Sequence, residues 1–184
     1  MGDPAQAHIF VDETKAKGYV AAAATLVLGD LSAPRKQLNA LILPRQRSLH
    51  MKDESDPRRR EIIDIIVRMS SSVGLQSVIY DAGREHSQLD RRAACLQGLV
   101  QDATLHERAR IVLELDESLR SWDRQRLIEY ARGSGLGDRL TYEHQARTVE
   151  ILLSIPDAIA WCWARGGQWR ARVQPVVRYV RIDP

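Results

Sequence analysis

The chain has 184 residues, 44% of them hydrophobic and 28% charged, with a formal net charge of +3. That length suits one domain with a substantial core, and that balance is ordinary for a soluble globular protein. No apolar run is long enough to cross a bilayer, and Met1 to Ala7 is too polar for a signal peptide, so the expected location is the cytoplasm. Cys95 and Cys162 are isolated and lack metal-site spacing, which predicts buried thiols of a reduced protein. The mild positive charge favours an anionic partner such as nucleic acid.

The apolar run His8 to Val11 predicts a buried strand that ends in Asp12 and Glu13. Gly18 to Leu28 predicts a second strand, joined to the first by a tight polar turn. An Asp at the end of a core strand is either a metal ligand or a turn former that bonds nearby N–H groups. Alternation sends Glu13 to the opposite face from Asp12. Ser32 is placed to cap a short helix with Pro34 in its first turn, and Pro44 closes it. The segment Arg45 to Glu54, which carries Leu49, His50 and Met51, is a candidate for a short third strand.

Asp56-Pro57 starts a helix whose buried stripe is Ile62, Ile66, Met69 and Val73, with Gly74 as its stop. Leu75 to Tyr80 is β-rich and runs into Asp81. Ser87 is placed to cap the next helix, striped by Leu89, Ala93, Leu96, Val100 and Ala103, with Arg91, Arg92 and Asp102 off the stripe. Ile111 to Leu115 predicts another strand ending in acids, and alternation puts Val112, Glu114 and Asp116 on one face. A helix from about Leu119 to Arg132 stops at Gly133-Ser134-Gly135-Leu136-Gly137. Because those glycines follow a helix, they read as a stop and loop instead of a phosphate cradle. Thr141 to Arg147 is polar and gives no clear periodicity. The last strong helix contains Pro156 to Ala164, with Ser154 as N-cap and Asp157 in its first turn, where the helix dipole favours an acid whatever its function. Residues 168–184 read as a basic edge strand or extended arm. The whole, residues 1–184, reads as a single domain: an α/β chain in which an antiparallel opening hairpin is followed by alternating α and β elements. That order implies a mixed β-sheet with helices on both faces.

Four short motifs, in order, carry a resemblance. Asp12-Glu13-Thr14 opens the hairpin, Leu49-His50 lies in the candidate third strand, Leu115-Asp116-Glu117 ends a later strand, and Leu153-Ser154-Ile155-Pro156-Asp157 opens a late helix. Together they resemble the bacterial domain of unknown function 3800 family, which has a ribonuclease H-like fold. Thr14 replaces the family's Ser, and the last motif lacks the family's Gln and Ala. The resemblance implies a metal-dependent nuclease in which Asp12, Asp116 and Asp157 hold Mg²⁺ or Mn²⁺ at one end of the sheet. Hard oxygen donors suit such ions, and two of them roughly 4 Å apart would serve a two-metal hydrolysis of DNA or RNA. His50 is a candidate for proton transfer or phosphate contact, with a partly buried packing role as its alternative. Glu114 shares the strand face of Asp116, and Asp81 ends a neighbouring strand, so both are rivals for its place.

Arg58, Arg59 and Arg60 fall in a first helical turn, where positive charge opposes the dipole. They either meet an anion or are balanced by Asp53, Glu54 and Asp56. The C-terminal Arg165, Arg170, Arg172, Arg178 and Arg181 lie near Trp161, Trp163 and Trp169. That mixture suits a nucleic-acid backbone with stacked bases, or an oligomer contact between copies. The alternative to an enzyme is a non-catalytic ribonuclease H-like module that binds nucleic acid or a protein partner.

Overall fold

The structure, a computed structural model, describes residues 6–184. Strands β1 (Ala7–Thr14) and β2 (Val20–Val27) form the opening hairpin, antiparallel and in register Asp12↔Ala22. The chain continues through helices α1 (Ser32–Asn39) and α2 (Asp56–Ser72) into β3 (Gln76–Asp81). Helix α3 (Gln88–Ala103), β4 (Ala109–Glu114), α4 (Arg120–Gly133) and β5 (Leu140–Gln145) follow. Helices α5 (Ser154–Arg165) and α6 (Gly167–Val173) then lead to β6 (Val177–Arg181). The six strands form one sheet in the order β5-β4-β1-β2-β3-β6. Only β2 runs against the others, since β4 and β5 extend parallel from β1 and β6 is parallel to β3. The order β3-β2-β1-β4-β5 with β2 reversed is the ribonuclease H-like arrangement, extended here by β6.

The sheet is buried on both sides, and strand alternation sorts its residues into two cores. Ile9, Val11, Ala21, Ala23 and Ile111 face α3 and α4, while Phe10, Ala22, Ala24 and Val112 face α1, α2, α5 and α6. The alanine run of β2 would favour a helix by propensity alone, but its position between β1 and β3 decides otherwise. Small side chains there let α5, itself carrying Ala158 and Ala160, lie close over β1 and β2.

The hairpin turn closes through Gly18 at φ +120°, where an added Cβ would stand 2.9 Å from the Gly83 carbonyl oxygen. Tyr19 N–H donates to that oxygen at 2.9 Å, and Ala82 N–H donates to Tyr19 O at 3.0 Å. The hairpin is thereby fixed to the end of β3.

Some local expectations need correcting. Arg45 to Glu54 contains no strand, because the edge of β2 is taken by β3; a short 3-10 turn at Met51–Asp53 stands there, with Leu49 and Met51 buried in the core. The polar stretch from Thr141 forms β5 as far as Gln145, and the strand's single sheet neighbour leaves it little need for apolar residues on both faces. The tail is an edge strand in part: Val177–Arg181 pairs with β3 at the sheet edge, while α6, which the sequence did not mark, packs against α5. Ser87 caps α3 as expected, its hydroxyl accepting from Asp90 N–H. Ser32 and Ser154 instead begin their helices without capping them.

Candidate functional site

Parallel pairing of Val11 with Leu113 puts the next residues, Asp12 and Glu114, side by side where β1 and β4 end. Both side chains turn to the face covered by α5. Ser154 at the start of α5 donates its hydroxyl to the Leu49 carbonyl at 3.2 Å, fastening the 49–51 loop to the helix. Met51 N–H then donates to Asp157 Oδ2 at 2.8 Å, and His50 Nδ1 lies 2.9 Å from Asp157 Oδ1. The structure thus brings Asp12, Asp157 and His50 together from three distant parts of the chain.

Between them stands Arg147, from the turn after β5. Its Nη2 is 3.1 Å from Asp12 Oδ2 and bonds Glu114; its Nη1 is 3.5 Å from Asp157 Oδ1 and touches His50 Nδ1. His50 Nδ1 can serve only one neighbour at a time. It accepts from Arg147 when it carries no proton and donates to Asp157 when it does.

Burial, and after it the Glu114 and Asp157 carboxylates, raise Asp12 well above the usual carboxylate range, more than Arg147 and the Glu13 N–H lower it. Burial acts to lower the Arg147 pKa, but Asp157, Glu114 and Asp12 outweigh it and raise it. One guanidinium faces three carboxylates, so the cluster keeps an excess of acid groups. Among the described residues, no group of three or more His, Cys, Asp or Glu side chains is disposed to hold a metal ion. The oxygens of Asp12, Glu114 and Asp157 nonetheless fit Mg²⁺ or Mn²⁺ in donor chemistry, since such ions take hard carboxylate ligands and need few of them from the protein.

Asp116 does not join this cluster. Pairing of β4 ends at Glu114, and the chain turns, so alternation no longer governs where Asp116 points. Its Oδ1 accepts from the Ser118 hydroxyl at 2.6 Å and from Ser118 N–H at 3.0 Å, bonds that hold its carboxyl below the usual range. Glu114 takes the place beside Asp12. Asp81 is also elsewhere, bonded to Tyr179 and Arg181. Asp116 still lines a cavity of about 490 Å³ that opens at this end of the sheet, as do all five clustered residues.

On the opposite face, Glu13 enters a second polar network. Arg92 of α3 bonds Glu13, donates to the Tyr19 hydroxyl at 3.0 Å, and grips Asp123 through two bonds of 2.6 and 2.7 Å. His144 Nε2 lies 2.9 Å from the same aspartate, which is fully buried. Alternation marks the side to which Glu13 turns, but nothing in the sequence marks Arg92, Asp123 and His144 as its companions. Arg147 likewise carries no signal, because it falls in a polar stretch without periodicity.

The basic features mostly find partners within the chain. Arg58 pairs with Glu54 and Glu61, and Arg59 pairs with Asp56 while its guanidinium lies 4.7 Å above the Trp161 ring. Trp161 meets Trp169 edge-on at 5.2 Å, and Trp163 stacks on Tyr179 at 5.5 Å. Beside the hairpin, Lys17, Trp161 and Arg165 share a smaller cavity of about 290 Å³. No helix among the described residues is long and apolar enough to cross a membrane.

Fold and site define an α/β protein of ribonuclease H-like architecture with an acidic cluster at the strand ends. Among solved structures, a chain of the PCNA:RNase HII complex from Archaeoglobus fulgidus is similar, at 18% identity and a TM-score of 0.49, covering 88% of this chain and 73% of that one. No family model matches the chain. No curated protein matches it either.

Proposed function

We propose that the chain is a divalent-metal-dependent phosphodiesterase acting on nucleic acid. The observation that carries this reading is the meeting of Asp12, Glu114 and Asp157, from β1, β4 and α5, around one cationic position. These three residues would hold Mg²⁺ or Mn²⁺, which supplies Lewis-acid polarisation of a phosphoryl oxygen and a more acidic bound water. Asp157 is the best-positioned of them, because Met51 N–H and His50 orient both its oxygens. With Nδ1 of His50 directed at Asp157, its Nε2 is the nitrogen suited to exchange a proton with substrate or water. Lys17, Arg165 and Trp161, close to the same end of the sheet, offer charge and a stacking face to a polynucleotide.

A second reading has its own support. Arg147 neutralises part of the cluster from within, which suits a ribonuclease H-like module that binds nucleic acid or a protein without cutting. A nuclease assay with Mg²⁺ or Mn²⁺ on single- and double-stranded DNA and RNA separates the two. Cleavage by the wild type but not by an Asp12→Asn, Asp157→Asn variant is the expected result. Equal cleavage by both would indicate a contaminant and remove the support for an enzyme. Retained binding in a gel shift with no cleavage in any condition would establish the module.

A further inference from the structure

We infer that Arg147 is a resident cation that occupies the divalent-ion position and has to withdraw before an ion is bound. This rests on the metal-dependent reading above and adds the residue that controls access to it. A divalent ion needs carboxylate oxygens within about 2.0–2.6 Å of one point. The guanidinium of Arg147 already fills the space common to Asp12, Glu114 and Asp157, so ion and guanidinium exclude one another.

Two features mark this occupancy as replaceable. The Arg147 side chain is nine-tenths buried, yet its Nε–H has no hydrogen-bond partner among the described residues. A guanidinium in a permanent structural role usually spends its donors, because a buried donor left unmet is costly. Arg147 also competes with Asp157 for His50 Nδ1, a single ring nitrogen that can pair with only one of them at a time. Withdrawal of Arg147 would leave His50 Nδ1 to pair with Asp157 alone, so removing the guanidinium does not orphan the histidine. The residue stands in a five-residue stretch, 146–150, between β5 and the 3-10 turn at Ile151–Leu153, where Val149 is 77% exposed. The side chain can therefore swing toward solvent without unpairing the sheet. Once outside, its planar fork suits a phosphate oxygen pair.

The test is Mn²⁺ binding to the intact protein, followed by loss of the free-ion electron paramagnetic resonance signal, for wild type, Arg147→Met and Arg147→Gln. The expected result is at least tenfold tighter Mn²⁺ binding in both variants than in wild type. Equal affinity in all three would overturn the competition and leave the metal reading standing. No binding by any of them at millimolar Mn²⁺ would overturn both. A second measurement needs no variant: the Arg147 Nε–H resonance of the wild-type protein should lose its protection from solvent exchange as Mg²⁺ saturates. Protection that persists at saturation would overturn the inference.

Discussion

Removing the Arg92 guanidinium tests the polar network beneath β1. Arg92→Met keeps most of the apolar stem but leaves Asp123, fully buried, with His144 alone. Two direct bonds to Asp123 are lost, along with those to Glu13 and Tyr19. Breaking a buried ion pair from one side costs about 3–5 kcal/mol, because the remaining charge stays buried without its partner. At about 2–4 °C per kcal/mol for a chain of this size, Tm should fall by roughly 6–20 °C. Urea unfolding at neutral pH provides the assay. Arg92→Met combined with Asp123→Leu should recover much of the loss, since the fully buried carboxylate is gone.

The pH dependence has a defined sign. Burial alone would raise the Asp123 pKa, but the hydrogen bonds from Arg92 and His144 outweigh it and hold the carboxyl below the usual range. Its stabilising contribution is therefore complete above the unfolded value of about 3.9 and is lost as pH falls through the folded value. The gap between wild type and Arg92→Met should narrow below about pH 4. A loss under about 1 kcal/mol, or a double variant as unstable as the sum of the single ones, would refute the claim that this pair is held by desolvated charge.

Two further outcomes follow from the fold and the cluster. Asp12 titrates above the unfolded value of about 3.9, so its contribution to stability falls as pH rises from there through the folded value, and Asp12→Asn lacks that fall. The unfolding free energy of wild type minus that of the variant should decrease as pH rises above about 4; a flat or rising difference contradicts the assignment. Gly18→Ala should cost about 1–3 kcal/mol, since the left-handed backbone is strained for alanine and its Cβ would press on the Gly83 carbonyl. A denaturation midpoint unchanged by that substitution would mean the hairpin is not fixed to β3 as described.

Much of the architecture was legible in the residues themselves. The apolar runs His8–Val11 and Ile111–Leu115, the stripe of α2 and the Ser87 cap are local features, and local sterics decide them wherever the chain lies. Asp12 and Asp157 were legible too, one as the acid ending a core strand and the other as the acid in a first helical turn. Elements with weak local signals were not. β5 is polar because it has only one sheet neighbour, and the Leu49–Met51 loop is buried because α5 holds it.

The sequence by itself therefore determined the strongly patterned elements, their order and most of the faces they bury, because these depend on short-range periodicity. Tertiary structure alone decided that Glu114 and not Asp116 stands beside Asp12, since that depends on where the pairing of β4 stops. It also decided that Arg147 enters the cluster, 135 positions along the chain from Asp12. A contact of that span is fixed by how the sheet and α5 bring chain ends together, and no local pattern encodes it.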